Sequence, residues 1–168
     1  MTYDVTVNNQ ASYGLLVLKG GPAAQEQFSK VLGMNIPSIP NTVTVGNDKS
    51  LLWLGPEEWL LIVSDSEEER VASELSFSAA IESMVAIVVS DHYSVITIQG
   101  SETVDVLAQA CSIDLHPKKF STGQCCRCAF ARTTAIVRPL DSQGTYELIV
   151  ESSYVQYAKD WLKKAIGV

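Results

Sequence analysis

The sequence predicts an α+β fold with mainly antiparallel sheets covered by helices on one face. Two observations lead to this prediction. Apolar segments of strand length alternate with single helical segments, and turn-forming residues separate the strands. The order of strands and helices indicates two ferredoxin-like halves. The chain has 168 residues, 46% of them hydrophobic and 18% charged, and is predicted to form a single domain over residues 1–168.

The first half of the chain predicts a strand, a helix and a group of short strands. A buried strand, YGLLVLKG, precedes a helix that has Pro22 in its first turn and Gly33 just beyond its end. Two prolines in MNIPSIPNT predict a loop. Strands are then expected at VTV, LLWLG and WLLIVS. A second helix follows at SEEERVASEL, where Ser66 and Glu69 have the spacing of a capping box.

The second half repeats the alternation. Strands are predicted at MVAIVVS and YSVITIQG, followed by a helix, SETVDVLAQAC, with Ser101 as its N-cap. CCRCAFARTTAIV is predicted as one strand, joined across PLDSQG to the strand TYELIV. In the last helix, SYVQYAKDWLKKA, Ser153 is expected to pair with Gln156 at the start, and Gly167 lies beyond the end.

Charge and hydropathy exclude two classes of partner. The net charge is −7 and no basic cluster is present, so binding to nucleic acid is not expected. The first residues, MTYDVTVNNQ, carry no basic segment, and apolar runs such as MVAIVV are far too short to span a membrane. We therefore expect a cytoplasmic protein, with no membrane contact and with reduced cysteines.

The segment STGQCCRCAFAR contains three of the four cysteines of the chain. If residues 125–131 form a strand, Cys125 and Cys128 lie roughly 10 Å apart on opposite faces. That arrangement excludes both a shared metal ion and a disulfide between them. Structural cysteines and no metal site are predicted. The alternative is a redox or metal-binding protein that uses Cys111, Cys125, Cys126 and Cys128.

No catalytic residue is predicted from the remaining motifs. Ser90, Asp91 and His92 are adjacent in sequence, whereas the members of a catalytic triad converge from separate segments. His92 and His116 are both expected in turns or loops. No Gly-rich segment has the spacing of a phosphate-binding loop.

The segment LLWLGPEEWLLIVS has two interpretations. In the first, Trp53 and Trp59 are core residues of a hairpin whose turn is set by Gly55 and Pro56. In the second, the turn faces a partner, because exposed tryptophan is enriched in interface hot spots. The candidate contact residues are then Trp53, Gly55, Pro56, Glu57 and Trp59.

Glu147 lies in TYELIV, a strand that should be half buried. An unpaired carboxylate would be costly there. Its side chain is therefore expected to point to water, to have a structural partner, or to bind the amide edge of a heterocycle. The last alternative makes Glu147 a weak candidate for a cofactor contact.

Several motifs resemble those of one known family, in the order of that family. They are IPSIPNT, WLGPEEWLLI, VVSDHYSVITIQGSETVDVLAQACSIDLHPKKF, TGQCCRCAFARTTAIVRPLD and TYELIVESSYVQYAKDWLKKA, and they span roughly residues 13–165. On these motifs the chain resembles the gamma subunit of heterotetrameric sarcosine oxidase. That family is similar in fold to the folate-binding domain of aminomethyltransferases.

The resemblance implies a non-catalytic subunit that works with alpha, beta and delta subunits. The complex would oxidatively demethylate sarcosine to glycine, with peroxide and 5,10-methylenetetrahydrofolate formed on other subunits. FAD, FMN, NAD and tetrahydrofolate are expected in the two large subunits, and zinc in the small fourth one. No cofactor is expected in this chain.

The chain departs from the aminomethyltransferase pattern at two places. NDKSLLWL replaces a segment with an Asp-Asp pair, so that Asp48 has no partner, and LDSQGTYEL replaces a T-G-E segment. An alternative function is a stand-alone tetrahydrofolate-binding protein, which requires Glu147 or Asp48 to line a pocket. The sequence leaves open whether the isolated chain forms a homodimer through its docking surface.

Overall fold

The computed structural model describes residues 2–9, 12–46, 48–77 and 83–167. The chain divides into two compact units. The first unit is Ser12–Ser90, and the second combines Met1–Ala11 with Asp91–Val168. Each unit contains one five-stranded sheet and one hydrophobic core. The predicted α+β class with antiparallel sheets is confirmed.

The elements are as follows in chain order. The strands are β1 (Thr6–Asn9), β2 (Tyr13–Lys19), β3 (Val43–Gly46), β4 (Lys49–Gly55), β5 (Glu58–Ser64), β6 (Val85–Val88), β7 (Tyr93–Gln99), β8 (Cys126–Phe130), β9 (Thr133–Pro139) and β10 (Tyr146–Glu151). The helices are α1 (Pro22–Leu32), α2 (Glu68–Phe77), α3 (Thr103–Ala108) and α4 (Val155–Ile166).

The sheet of the first unit has the order β3-β4-β5-β2-β6. Alternate apolar residues of β2, β4 and β5, such as Leu16, Leu51 and Leu61, pack with α1 and α2 on one face, because successive side chains of a strand point to opposite faces. Helix α1 begins at Pro22 and ends at Leu32, and the next residue, Gly33, caps it with a φ of 66° and an N–H that donates to the Ser29 carbonyl. Both predicted ends of this helix are confirmed.

The sheet of the second unit has the order β1-β7-β10-β9-β8. Its core includes Phe130, whose ring meets that of Trp161 edge to face at a centroid distance of 5.2 Å. Strand β1, from the N-terminal segment, pairs with β7 at the edge of this sheet. No strand was predicted in this segment, so this pairing is a correction to the sequence-based assignment.

The two sheets share one arrangement. Strands β2 and β7 are followed by Gly20 and Gly100, whose φ angles are 154° and 150°. When the two sheets are aligned on these glycines, strands β4, β5 and β2 correspond to β9, β10 and β7. Strand β6 then corresponds to β1. Each unit is thus a ferredoxin-like fold with one additional edge strand. In the second unit the fourth strand comes from the beginning of the chain.

Residues 125–137, predicted as one strand, form β8 and β9 instead. The turn between them contains Ala131 at a φ of 49°. Because alanine is not typical of turns, the residue pattern did not indicate the turn between β8 and β9.

The predicted capping interactions are also corrected. Ser66 lies in a short 3₁₀ turn before α2 and its hydroxyl pairs with that of Ser64 at 3.2 Å. The Ser101 hydroxyl donates to Asp4 instead of capping α3. At α4 no side chain caps the N-terminus, and Gln156 donates to Asp160. The C-terminal cap of α4 at Gly167 forms as predicted.

Within the part of the chain that is described, no helix is long and apolar enough to cross a membrane.

Candidate functional site

The turn between β4 and β5 combines core and surface residues. Trp59 is 2% exposed, and its indole N–H donates to the Pro37 carbonyl at 2.8 Å. Its ring meets that of Phe28 edge to face at 6.4 Å. Trp53, opposite Trp59 in the neighbouring strand, is half buried and packs on the same core. The core interpretation therefore holds for both tryptophans, and Trp59 is removed from the candidate contacts.

The tip of the same turn remains available to a partner. Pro56 and Glu57 are exposed, and Glu57 has a φ of 59°. The Glu57 carbonyl accepts a hydrogen bond from the N–H of Gly20 at 3.1 Å, which fixes the turn against the end of β2. Gly55 is partly buried beside a register shift in the β4–β5 pairing.

Glu147 is fully buried and bound by Arg138. Both Nε and Nη2 of Arg138 lie 2.6 Å from Oε2 of Glu147, and the two side chains are 8% and 0% exposed. The residues face each other across β9 and β10. Of the three interpretations of Glu147, the structure shows an internal partner. This ion pair occupies the carboxylate that was the weak candidate for a cofactor contact.

The cysteines form a cluster that their sequence spacing does not reveal. An isolated β-bridge places Cys111 opposite Phe130, next to Cys128 on β8. The thiols of Cys111 and Cys128 are hydrogen-bonded to each other, and Cys126 lies close enough to Cys111 to raise the pKa of that thiol. None of the four cysteines forms a disulfide. Among the described residues, no group of three or more His, Cys, Asp or Glu side chains could hold a metal ion.

The hydrogen bond between Cys111 and Cys128 shifts the pKa values of the two thiols in opposite directions. The hydrogen bond from Cys111 lowers the pKa of Cys128, and a backbone hydrogen bond from Ser112 adds to this effect. The same hydrogen bond, together with burial, raises the pKa of Cys111. Burial also raises the pKa of Cys126. Cys128 is therefore the member of the pair with the lower pKa, but its side chain is only 7% exposed.

The remaining polar candidates lie on the surface. His92 is exposed and its ring meets that of Tyr93 edge to face. His116 is also exposed, and its Nδ1 accepts the N–H of Lys118 at 3.2 Å. Asp48 is exposed in the turn between β3 and β4. Sequence reasoning did not single out Arg138, although a basic residue in an otherwise apolar strand was a usable signal.

Sequence comparison identifies one family and one curated relative. The model of the sarcosine oxidase gamma subunit family matches residues 19–167. The gamma subunit of sarcosine oxidase from Corynebacterium sp. (strain P-1) is 26% identical over 149 residues, which cover 88% of this chain and 70% of that protein.

Two solved structures are similar in fold. A chain of the heterotetrameric sarcosine oxidase from Corynebacterium sp. U-96, in complex with pyrrole 2-carboxylate, superposes with a TM-score of 0.89 at 22% identity. The match covers 96% of this chain and 83% of that one. The glycine cleavage aminomethyltransferase T from Bartonella henselae gives a TM-score of 0.70 at 14% identity, over 96% of this chain and 46% of that one.

The match to aminomethyltransferase T confirms the predicted similarity in fold to the aminomethyltransferases. The family match extends from the last residue of β2 through the end of α4 and so covers most of each unit. This chain belongs to the sarcosine oxidase gamma subunit family.

Proposed function

We propose that this chain is a non-catalytic subunit of a sarcosine oxidase complex and acts by assembling with alpha, beta and delta subunits in the cytoplasm. The observation that carries the proposal is the family match over residues 19–167. A solved chain of similar fold belongs to a heterotetrameric sarcosine oxidase, which supports a role within an assembly.

The buried ionisable groups of the second unit support a non-catalytic role, because they pair with each other. Its buried carboxylate, Glu147, is neutralised by Arg138. Its buried thiol, Cys128, is bound by Cys111. Groups that satisfy one another in this way stabilise the fold and are not presented to a substrate.

We assign the chemistry of the complex to the other subunits. They would oxidise the N-methyl group of sarcosine to give glycine and peroxide, and transfer the one-carbon unit to tetrahydrofolate as 5,10-methylenetetrahydrofolate. FAD, FMN, NAD, tetrahydrofolate and zinc would accordingly be bound outside this chain. The alternative of a stand-alone tetrahydrofolate-binding protein requires a pocket at Glu147 or Asp48, and the burial of the first and the exposure of the second weigh against it.

Co-purification from the native host tests this function. The tagged chain, isolated from cells grown on sarcosine, should bring down flavin-bearing large subunits, and the complex should release peroxide when sarcosine is added. Isolation of the chain alone and without flavin absorbance would contradict the proposal. Titration of that isolated chain with tetrahydrofolate would then decide for or against the alternative.

A further inference from the structure

Strand β6 is an open and unusually apolar sheet edge. It pairs with β2 on one side, and no described strand pairs with its other side. Ile87 is 53% exposed and Val88 is 44% exposed. Open strand edges are templates for pairing with another chain, and monomeric proteins usually protect them with charges or proline. The sequence of β6, VAIV, contains neither.

The outward-facing backbone groups of β6 pair with no strand among the described residues. The N–H of Val89 donates to the Leu15 carbonyl of β2 at 2.7 Å. N–H and C=O groups alternate in direction along an antiparallel strand. Consequently the backbone groups of Ala86 and Val88 point away from β2. They are spaced to pair with an added strand.

A groove runs between β6 and helix α2. A cavity of about 640 Å³ is lined by Glu68, Glu69, Ala72, Ser73, Ser76 and Val88. A second one of about 260 Å³ lies further along β6 and shares Ser76 with the first. The two cavities together follow the strand on its helix-covered face. They provide space for the side chains of a segment that pairs with β6.

The charge of the groove is negative. The Glu68 carboxylate accepts a hydrogen bond from the Ser90 hydroxyl, which itself accepts one from the Leu15 N–H at 2.8 Å. Glu69 is exposed on the same wall. The adjacent Arg70 forms ion pairs with Glu67 and Glu74 and does not line the groove. A basic side chain would therefore be attracted to this wall.

The corresponding edge of the second unit is polar. In the alignment of the two sheets, Val17 and Thr97 are equivalent positions; the first pairs with Ile87 and the second with Asn8. By the same register, Val88 corresponds to Asn9. The two edges have the same place in their sheets, so the fold does not require an apolar edge at β6. The apolar side chains of β6 are instead suited to burial against a partner.

We propose that β6 and α2 form a β-augmentation groove that receives an extended segment from a large subunit of the complex. That segment would pair with the backbone of Ala86 and Val88, place apolar side chains against Ile87 and Val88, and place a Lys or Arg against Glu68 and Glu69. The inference rests on the proposed function, because it identifies the surface through which that assembly occurs.

Edge variants in the co-purification assay test this inference. Val88→Lys should reduce the amount of large subunits bound per tagged chain by about tenfold or more, as expected for a hot-spot residue. Val88→Pro removes the outward N–H and should have a similar effect, while leaving the pairing with β2 intact. The matched control is Val45→Lys, because Val45 is 71% exposed on the opposite edge strand β3. This control should bind like the wild type.

The charge of the bound segment is tested separately. Glu69→Lys should weaken the binding and reduce its dependence on salt, because it replaces attraction with repulsion. Unchanged binding and salt dependence in this variant would overturn the basic character of the segment. Circular dichroism melts of all variants verify that each remains folded.

The outcomes separate this inference from the proposed function. If all variants retain the large subunits as the wild type does, or if Val45→Lys loses them together with Val88→Lys, the β6 docking site is wrong and the subunit function stands. If the wild type brings down no large subunit, the proposed function itself fails. If that wild type also forms a homodimer that Val88→Lys dissociates, a second copy occupies the edge and the assignment to a large subunit is overturned.

Discussion

The two units have the same strand order but differ in where they place polar residues. In the first unit, Leu52 and Leu60 face each other across β4 and β5, and both are fully buried. The equivalent positions in the second unit are occupied by the ion pair Arg138–Glu147. The edges of the two sheets differ in the same sense. There the first unit exposes Ile87, and the second unit has Asn8.

This contrast indicates that the two units have different roles although their strand order is the same. An exposed apolar edge favours association, whereas a buried ion pair adds little stability over well-packed apolar residues. The first unit, with an apolar interior and an apolar edge, is suited to docking. The second unit has polar groups that satisfy each other internally and a polar edge. Altering each difference separately tests this division.

The largest effect is expected from breaking the buried ion pair. Glu147→Leu leaves the Arg138 guanidinium buried without its carboxylate, which should lower the free energy of unfolding by about 3–5 kcal/mol. Urea denaturation of the full chain measures this loss.

The double variant Arg138→Leu/Glu147→Leu is the informative control. It copies the Leu52–Leu60 pair of the first unit, and replacing both partners of a buried pair is often neutral. It should therefore recover most of the stability lost in Glu147→Leu. A double variant that is less stable than the single one would disprove the equivalence of these positions in the two units.

The next effect is expected at the two equivalent glycines. Both have a positive φ that other residues adopt at a cost of about 1–3 kcal/mol. A Cβ at Gly100 would lie 2.0 Å from the Asp4 carbonyl oxygen, whereas at Gly20 it would lie 2.4 Å from the Ala24 Cβ. Gly100→Ala should lower the Tm more than Gly20→Ala, because the backbone leading to β1 must move.

A second substitution distinguishes the two sites. Ala24→Gly removes the methyl group that a Cβ at position 20 would meet, so it should partly restore the Tm of Gly20→Ala. No side-chain change relieves the contact with the Asp4 backbone. If Gly20→Ala were the more damaging substitution, the proposed constraint on the N-terminal segment would be wrong.

A smaller effect is expected at the thiol pair, which the first unit lacks because all four cysteines lie in the second. The hydrogen bond from Cys111 stabilises the Cys128 thiolate, so Cys111→Ala should raise the pKa of Cys128. At a fixed pH below that pKa, the thiolate fraction falls and alkylation of Cys128 slows. Mass spectrometry of iodoacetamide labelling across a pH series measures the shift.

Cys125→Ala serves as the control for the thiol pair, since Cys125 does not contribute to the shift at Cys128. Its pH profile at Cys128 should match that of the wild type. An unchanged profile in Cys111→Ala would mean that the thiol–thiol hydrogen bond does not set the ionisation of Cys128.

The smallest effect on stability is expected at the edges. Val88→Asn makes β6 resemble β1 and should change the free energy of unfolding of the isolated chain by no more than about 0.5 kcal/mol, as for most surface substitutions. Val45→Asn is the matched variant on β3. A large loss in Val88→Asn would mean that Val88 supports the fold rather than a docking surface.

The sequence predicted the fold class and most of the elements because apolar periodicity and helix-terminal residues such as Pro22 and Gly33 are local signals. It did not predict β1, since TVNN has little apolar pattern and pairs with a strand distant in sequence. The order of the elements predicted the two ferredoxin-like halves, but their residue-by-residue correspondence was hidden. The two sheets share register and glycine positions, whereas matched residues such as Leu60 and Glu147 have opposite chemistry.

The candidate sites were predicted less well, for a related reason. Burial of Trp59, pairing of Glu147 with Arg138 and the contact of Cys111 with Cys128 all depend on contacts between separate segments. Spacing within one strand argued against a shared metal at Cys125 and Cys128, yet it contained no information about Cys111. Likewise, the apolar sequence of β6 predicted a strand but not its position at a sheet edge.

The most direct test of assembly through one edge is hydrogen exchange at the backbone amides of β6. The exchange would be measured by mass spectrometry on the free chain and on the complex isolated from the native host. We predict strong additional protection over Val85–Val88 in the complex and little change over Thr6–Asn9, the equivalent edge of the second unit. Protection of β1 with none at β6 would contradict the account.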